Sequence, residues 1–289
     1  MKEYVVLSGK GGTGKTSITA SFATLDQNQI VVDCDVDAAN LHLLLSPNVE
    51  SEHVFISGYT AVIDPEKCSQ CGLCIDYCRF DAIHYDHTGR VIISEISCDG
   101  CRLCERVCPK QAIYAVPSDK SRWYISNYRN GKLIHARIAP GEENSGKLVR
   151  IIRQAAQEEA KIQNQGTLIL DGPPGTGCPV ISSLSGVHAC LIVTEASVSG
   201  LHDLKRILEL TKQYGVRTQV VINKFDLNVE ITAKIEAYCE TVQVPVIGTL
   251  AFDSNFVEAM IACKSVCEWA PESDSSKQIK EIYSKFIAS

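Results

Sequence analysis

No apolar run in this chain of 289 residues approaches the roughly 18 residues that a membrane-spanning helix needs. The N-terminal stretch, MKEYVVLSGK, lacks the charged, apolar and small-residue series of a secretory signal and passes straight into a strand pattern. Positive charge is in deficit: 28 Lys and Arg against 34 Asp and Glu leave a formal net charge of −6. That balance sets nucleic acid aside as the main partner, because such a partner is held by clustered cations. Hydrophobic residues at 45% and charged residues at 21% exclude the composition of a disordered chain. What abounds is cysteine. Fourteen occur, eight of them in two tight runs between Cys68 and Cys108. A cytoplasmic setting is expected, where thiols stay reduced and dense cysteine spacing means metal or redox chemistry.

Short apolar runs at residues 4–7, 30–32, 167–170, 190–193, 219–222 and 244–250 alternate with helical stretches such as 146–161 and 199–214. The alternation predicts an α/β fold, a mostly parallel sheet between helix layers. Between residues 58 and 117 the pattern breaks into short segments, and each cysteine run there is followed by Asp-Ala-Ile or Gln-Ala-Ile. The two halves, 64–85 and 96–114, read as an internal duplication. Residues 60–117 are therefore expected to form a module inserted into a domain made of 1–59 and 118–289. Insertion into a loop adds little closure entropy.

Residues 9–16 read GKGGTGKT, which satisfies G-x-x-x-x-G-K-[ST] between a strand and a helix. The motif is a phosphate loop. Backbone N–H groups from Gly11 through Gly12, Thr13 and Gly14 to Lys15 would cradle phosphates, with Ser17 beside them; Lys15 would reach the β and γ oxygens and Thr16 would ligate Mg²⁺. Two acidic loops follow strand patterns, DCDVDAAN with Asp33, Asp35 and Asp37, and DGPPGTG with Asp171. Carboxylates there can hold the water around Mg²⁺ and orient an attacking water, with Asp37 and Asn40 as helpers; capping of the next helix is the alternative, and it suits Asp37 better than Asp35.

A lysine at the second loop position, Lys10, makes GKGGTGKT resemble the deviant Walker A of the MinD, ParA, Mrp and nitrogenase iron-protein group. The resemblance implies an ATP-dependent homodimer in which Lys10 reaches across to the partner's nucleotide. It also implies that Asp171 is the Walker B acid, that Asp33 and Asp35 belong to the first switch with Asp35 acting in hydrolysis, and that Asn223 contacts adenine near residues 250–253. The NKFD sequence beginning at Asn223 superficially matches the guanine-reading N-K-x-D, so the residues alone leave GTP open. The segments 1–59 and 118–289, including RNGKLIHARIAPGEENSGKLV, look like this group, whose nucleotide-binding domain is also called CobQ/CobB/MinD/ParA.

Cys68, Cys71, Cys74 and Cys78 are spaced C-x₂-C-x₂-C-x₃-C, and Cys98, Cys101, Cys104 and Cys108 repeat the spacing. This is the bacterial two-cluster ferredoxin pattern, in which the fourth cysteine of each run serves the other cluster. One [4Fe–4S] cluster would take Cys68, Cys71, Cys74 and Cys108; the other would take Cys98, Cys101, Cys104 and Cys78. Zinc competes, since paired C-x₂-C can make a tetrahedral site, but four ligands would close it and eight are present. Arg79 stands where the second run has Pro109, which alters the turn without removing a ligand.

Of the remaining cysteines, Cys190 and Cys239 are expected to be small buried hydrophobes. Cys178 sits at the offset of a cluster-ligating cysteine in the nitrogenase iron protein, so the resemblance makes it a candidate bridge across a dimer. Cys34 lies in the first switch, and Cys263 and Cys267, spaced C-x₃-C, could bind metal or pack a helix turn. The C-terminal KQIKEIYSKFIAS is amphipathic and is expected to pack on its own core, a membrane surface being the alternative. These readings point to an ATPase that couples two clusters to electron transfer to, or metal-centre maturation of, a partner metalloprotein. The alternatives are an Mrp-like carrier of clusters or metal and a MinD-like positional organiser at a membrane.

Overall fold

A computed structural model describes residues 1–139, 142 and 144–288. Within the stretch 129–149, Pro140, Gly141 and Glu143 lie outside the described residues, as does Ser289. The chain enters through β1 (Lys2–Ser8), α1 (Lys15–Leu25), β2 (Gln29–Asp33), α2 (Leu41–Leu45) and β3 (Asn48–Phe55). The cysteine region follows with β4 (Tyr59–Ile63), α3 (Leu73–Asp76), β5 (Ile83–Tyr85), β6 (Val91–Ile93), α4 (Leu103–Val107) and β7 (Ile113–Pro117). Next come β8 (Ser121–Tyr128), β9 (Gly131–Arg137), α5 (Ser145–Ile162), β10 (Thr167–Pro174), α6 (Cys178–Leu184), β11 (Ala189–Glu195) and α7 (Val198–Gln213). The chain ends through β12 (Arg217–Asn223), α8 (Val229–Thr241), β13 (Val246–Leu250), α9 (Asn255–Ile261), α10 (Val266–Trp269) and α11 (Asp274–Ile287).

Two compact units result, one of Met1–Glu52, Trp123–Ala136 and Ser145–Ser289, the other of His53–Arg122 and Arg137–Asn144. The larger unit is built on a nine-stranded sheet in the order β13-β12-β11-β1-β10-β2-β9-β8-β3. From β13 through β9 every described pairing is parallel. The β8–β9 connection is only the turn at Arg129 and Asn130, which a pair of antiparallel strands can close. The six apolar runs of the sequence fall on β1, β2, β10, β11, β12 and β13. They lack polar alternation because helices cover both faces of a parallel sheet, as the zero exposure of Val5, Val6, Leu170, Ile192 and Val221 shows.

Helix α5 buries Leu148, Val149, Ile152, Ala156 and Ala160, the three-and-four spacing of one face. From the same helix Arg153 reaches Glu3 of β1, with its Nη2 2.6 Å from Oε2 and its Nη1 donating to the carbonyls of Ser182 and Ser185. The amphipathic C-terminal segment packs inward: Ile279, Ile282 and Phe286 are buried, and the Tyr4 hydroxyl donates to the Ile287 carbonyl at 2.9 Å. Among the described residues no helix is long and apolar enough to cross a membrane.

The smaller unit carries two short antiparallel ladders, β4 with β7 and β5 with β6. Its core is small and mixed. Ala61, Ile83, Val91 and Ile113 pack with Cys74 and Cys104, and Cys78, Cys98 and Cys108 press against them. The unit holds both cysteine runs, and residues 137–144 return to it after the outer strands of the sheet.

Candidate functional site

Strand β1 ends at the crevice outside the carboxyl ends of the parallel strands, where ligands bind in open α/β sheets. The loop between Ser8 and Lys15 turns there through Gly12 and Gly14, whose φ values of 81° and 90° suit glycine. A Cβ on Gly14 would also collide with the Asn223 amide, which donates to the Thr13 carbonyl at 2.8 Å. The Thr13 hydroxyl is buried without a hydrogen-bond partner. A buried hydroxyl in that state is costly unless a ligand oxygen meets it, and the start of α1 is where backbone N–H groups collect an anion.

Asp171, from β10, joins the loop to the sheet. Its Oδ1 lies 2.8 Å from Lys15 Nζ and accepts from Thr19 Oγ1 at 2.8 Å, while Oδ2 accepts from Thr16 Oγ1 at 2.8 Å. All three donors come from the first two turns of α1, Thr19 lying one turn beyond Lys15 and Thr16. Asp33 is the register partner of Asp171 on the neighbouring strand. Its carboxylate accepts from the backbone N–H groups of Asp35 and Leu41, both at 3.1 Å. Burial and then the nearby Asp171 carboxylate push Asp33 up to about 7. Asp35 is half-buried and raised as well, by burial first. Asp37 and Asn40 are exposed on the same loop, and Ser17 is half-buried on the first turn of α1.

Lys10 turns toward the junction of β11 and α7. Its ammonium is 2.5 Å from Glu195 Oε1, 2.9 Å from Ser199 Oγ and 3.4 Å from Ser197 Oγ. Lys224, following Asn223, lies 3.6 Å from Glu195 Oε2 and donates to the Gly12 carbonyl at 3.1 Å. Burial raises the Glu195 carboxyl, but Lys10 and Lys224 outweigh it and hold the group below its usual range. In the NKFD sequence Asp226 accepts from the backbone N–H of Phe252 at 2.7 Å, which ties the loop after β13 to the loop after β12.

Thr19 and Glu195 were not legible as site residues. Thr19 had a usable signal, since it follows Lys15 by one helical turn. Glu195 had a weaker one, its place at the carboxyl end of a parallel strand.

In the smaller unit, Cys78, Cys98, Cys101 and Cys104 line one cavity together with Ile93, Phe80 and Leu103. Three of these thiols come from the second run and the fourth from the first. Burial, and then the neighbouring Cys98 and Cys101, push Cys104 up to about 11. Cys74 is raised by burial and then by the neighbouring Cys68, Cys108 and Cys71. The Ala112 N–H donates to Cys108 Sγ at 3.3 Å. Among the described residues no three His, Cys, Asp or Glu side chains are drawn together tightly enough for a single metal ion.

The other cysteines are dispersed. Cys34, Cys190, Cys239 and Cys267 are buried, and Cys178 and Cys263 are exposed. Cys267 points into the core toward the Ser276 carbonyl, so it and Cys263 do not share an open face.

An uncharacterized protein of Methanocaldococcus jannaschii is 32% identical over 289 residues, covering 98% of this chain and 95% of its own length. Over 62 residues, 22% of this chain, a pyruvate synthase subunit PorD of the same organism is 36% identical and is covered over 72% of its length. The cell division ATPase MinD of Pyrococcus furiosus superposes with a TM-score of 0.60 at 18% identity, over 100% of this chain and 99% of that one; this likeness is one of fold. The model of the CobQ/CobB/MinD/ParA nucleotide binding domain matches residues 4–266. With the phosphate loop, the Asp171 cluster and the parallel sheet in place, the chain belongs to the CobQ/CobB/MinD/ParA nucleotide-binding family.

Proposed function

We propose that the protein binds and hydrolyses ATP with Mg²⁺ and carries two [4Fe–4S] clusters. As a nucleotide-switched homodimer it would couple them to electron transfer to a partner metalloprotein or to maturation of that partner's metal centre. The observation that carries the iron–sulfur part is the cavity bounded by Cys98, Cys101, Cys104 and Cys78, the interleaved set that the ferredoxin spacing demands. The local likeness to a pyruvate synthase subunit supports the same reading.

The thiols fit the group: all eight cysteines of the two runs are free, and Cys74, Cys78, Cys98, Cys104 and Cys108 lie in or against a small apolar core, the kind of surroundings that tune a cluster's potential. Cys68, Cys71, Cys74 and Cys108 hold one cluster and Cys98, Cys101, Cys104 and Cys78 the other. When bound, the clusters supply one-electron transfer. Gly11, Gly12, Thr13, Gly14 and Ser17 bind phosphate, with the buried Thr13 hydroxyl finding the acceptor it lacks. Lys15 neutralises the β and γ oxygens, Thr16 ligates Mg²⁺, and Asp33 and Asp171 hold the water around that ion. Asp35 orients the attacking water, Asn223 contacts the base, and Lys10 crosses to the nucleotide of a partner subunit. In this reading the inserted unit is the ferredoxin-like domain of 60–117 and the remainder is the ATPase domain.

The test is iron and sulfide analysis with EPR of the anaerobically purified, dithionite-reduced protein, with and without ATP and Mg²⁺. About eight irons per chain and a spectrum that moves with nucleotide are expected. Zinc without sulfide would overturn the cluster reading, and hydrolysis that survives Lys15→Ala would overturn the ATPase reading. Iron above that amount, lost with Cys178→Ala, would favour a carrier of labile metal.

A further inference from the structure

Lys10 is fully bonded within its own chain. An ammonium has three protons, and three acceptors surround this one: Glu195 Oε1, Ser199 Oγ and Ser197 Oγ. The two serines belong to the start of α7, where Ser197 caps the helix by accepting from the Gly200 N–H at 3.0 Å. A helix N-terminus repels cations. The hydroxyls therefore supply geometry, and the Glu195 carboxylate supplies the attraction that overcomes the helix dipole.

Glu195 serves two lysines with two oxygens, Lys10 on Oε1 and Lys224 on Oε2. The side chains of Lys10, Glu195 and Lys224 are only 30%, 20% and 29% exposed, so the charges attract more strongly than on an open surface. Loss of Lys10 from this group would leave Glu195 with Lys224 and with the Ser197 hydroxyl, which already approaches Oε1 at 3.2 Å. No uncompensated buried charge results, so the departure of Lys10 avoids the penalty that normally locks such a pair. The base of the loop cannot move as readily, because Gly9 packs so closely on Asp203 of α7 that a Cβ would strike its backbone. The mobile part is the Lys10 side chain.

We propose that Glu195 is a positioning residue that parks Lys10 on its own subunit and passes to Lys224 when Lys10 leaves, so that it sets how readily a nucleotide-bound dimer forms. The inference rests on the reading of Lys10 as the lysine that crosses to a partner subunit. Two variants of the parking group push in opposite directions. Glu195→Gln keeps the shape and removes the attraction; Lys224→Met removes the competing cation and leaves Lys10 as the sole partner of Glu195.

The test is the acetylation rate of Lys10 in the nucleotide-free full chain, read by peptide mass spectrometry after brief treatment with acetic anhydride. Glu195→Gln is expected to speed it about fivefold, the effect of a partly buried ion pair. Ser199→Ala should give a smaller rise, and Lys224→Met should slow the reaction. A purely structural role for Glu195 would not reverse sign between these variants. An unchanged rate in Glu195→Gln, or a faster one in Lys224→Met, overturns the proposal. Sedimentation with a non-hydrolysable ATP analogue and Mg²⁺ reads the consequence. Glu195→Gln should tighten the dimer about fivefold, and the gain should vanish in a Lys10→Ala background. A wild-type chain that stays monomeric at saturating analogue would refute the crossing-lysine reading, while the acetylation rates still decide whether Glu195 parks Lys10.

Discussion

The Thr19 hydroxyl donates to Asp171 Oδ1 at 2.8 Å, on the same oxygen that Lys15 meets at 2.8 Å. Asp171 is thus held by three side chains of α1. Lys15 and Thr16 are the two that ATP and Mg²⁺ would draw away, leaving Thr19 as the remaining side-chain donor. Thr19→Val keeps the shape and deletes the bond, so ATP turnover should fall about tenfold, with about 1–2 kcal/mol of stability lost. Steady-state hydrolysis and a denaturant titration check this, and unchanged turnover would remove Thr19 from the site.

Two glycines of the loop should respond differently to alanine. Gly14 has φ near 90° and lies against the Asn223 amide, whereas a Cβ on Gly11 meets nothing within 4 Å. Gly14→Ala should therefore lower the melting temperature of the nucleotide-free protein clearly, at a strain of about 1–2 kcal/mol. Gly11→Ala should leave it nearly unchanged. Equal melting shifts for the two would contradict this picture of the loop.

The Arg153–Glu3 pair carries stability, not chemistry. Arg153→Ala would strand Glu3 inside the fold and free the Ser182 and Ser185 carbonyls. Breaking a buried pair from one side costs about 3–5 kcal/mol. A calorimetric or urea melt that shows under 1 kcal/mol would mean water already reaches the pair.

His135 should make stability depend on pH. Burial and then the nearby His42 lower it to about 4. Its ring stacks on Tyr124 with centroids 5.0 Å apart, and its Nε2 is 3.0 Å from Ser126 Oγ. A folded-state value below the ordinary 6.5 means that the unfolded chain binds the proton more readily. The contribution is complete above pH 6.5 and is lost as pH falls toward about 4. His135→Phe should flatten that part of the melting-temperature profile relative to wild type, and parallel profiles would show that another group is responsible.

Cys78 tests the interleaving of the clusters. It lies in the first run by sequence and lines the cavity of Cys98, Cys101 and Cys104. In the proposed protein Cys78→Ala should cost about half the iron and one of two EPR signals, and the surviving cluster should be that of Cys68, Cys71, Cys74 and Cys108. Loss of the first run's cluster in its place would show that each run closes on itself.

The phosphate loop was legible at once because its function depends on spacing within one turn, GKGGTGKT between a strand and a helix. The parallel sheet was legible because strands covered on both faces carry unbroken apolar runs. The outer strands β3, β8 and β9 were not, since their residues alternate and mix charge, as NVESEHVF and SRWYISNY show. The site was legible where a motif named its members and obscure where only packing did. Lys10 stood out for its place in the loop, but its acceptors come from the β11–α7 junction, far along the chain.

Local spacing alone established the phosphate loop, the two cysteine runs and the apolar strands, because a backbone turn, a run of closely spaced cysteines or a strand face involves neighbours that the chain order already places together. Three further matters depended on distant segments being packed against each other. They are the meeting of Thr19 with Asp171, the sharing of Glu195 by Lys10 and Lys224, and the choice of core over any outside surface by Ile279, Ile282 and Phe286. Each joins residues whose separation along the chain carries no information about distance, so the contact exists only once the sheet order and helix registers are set.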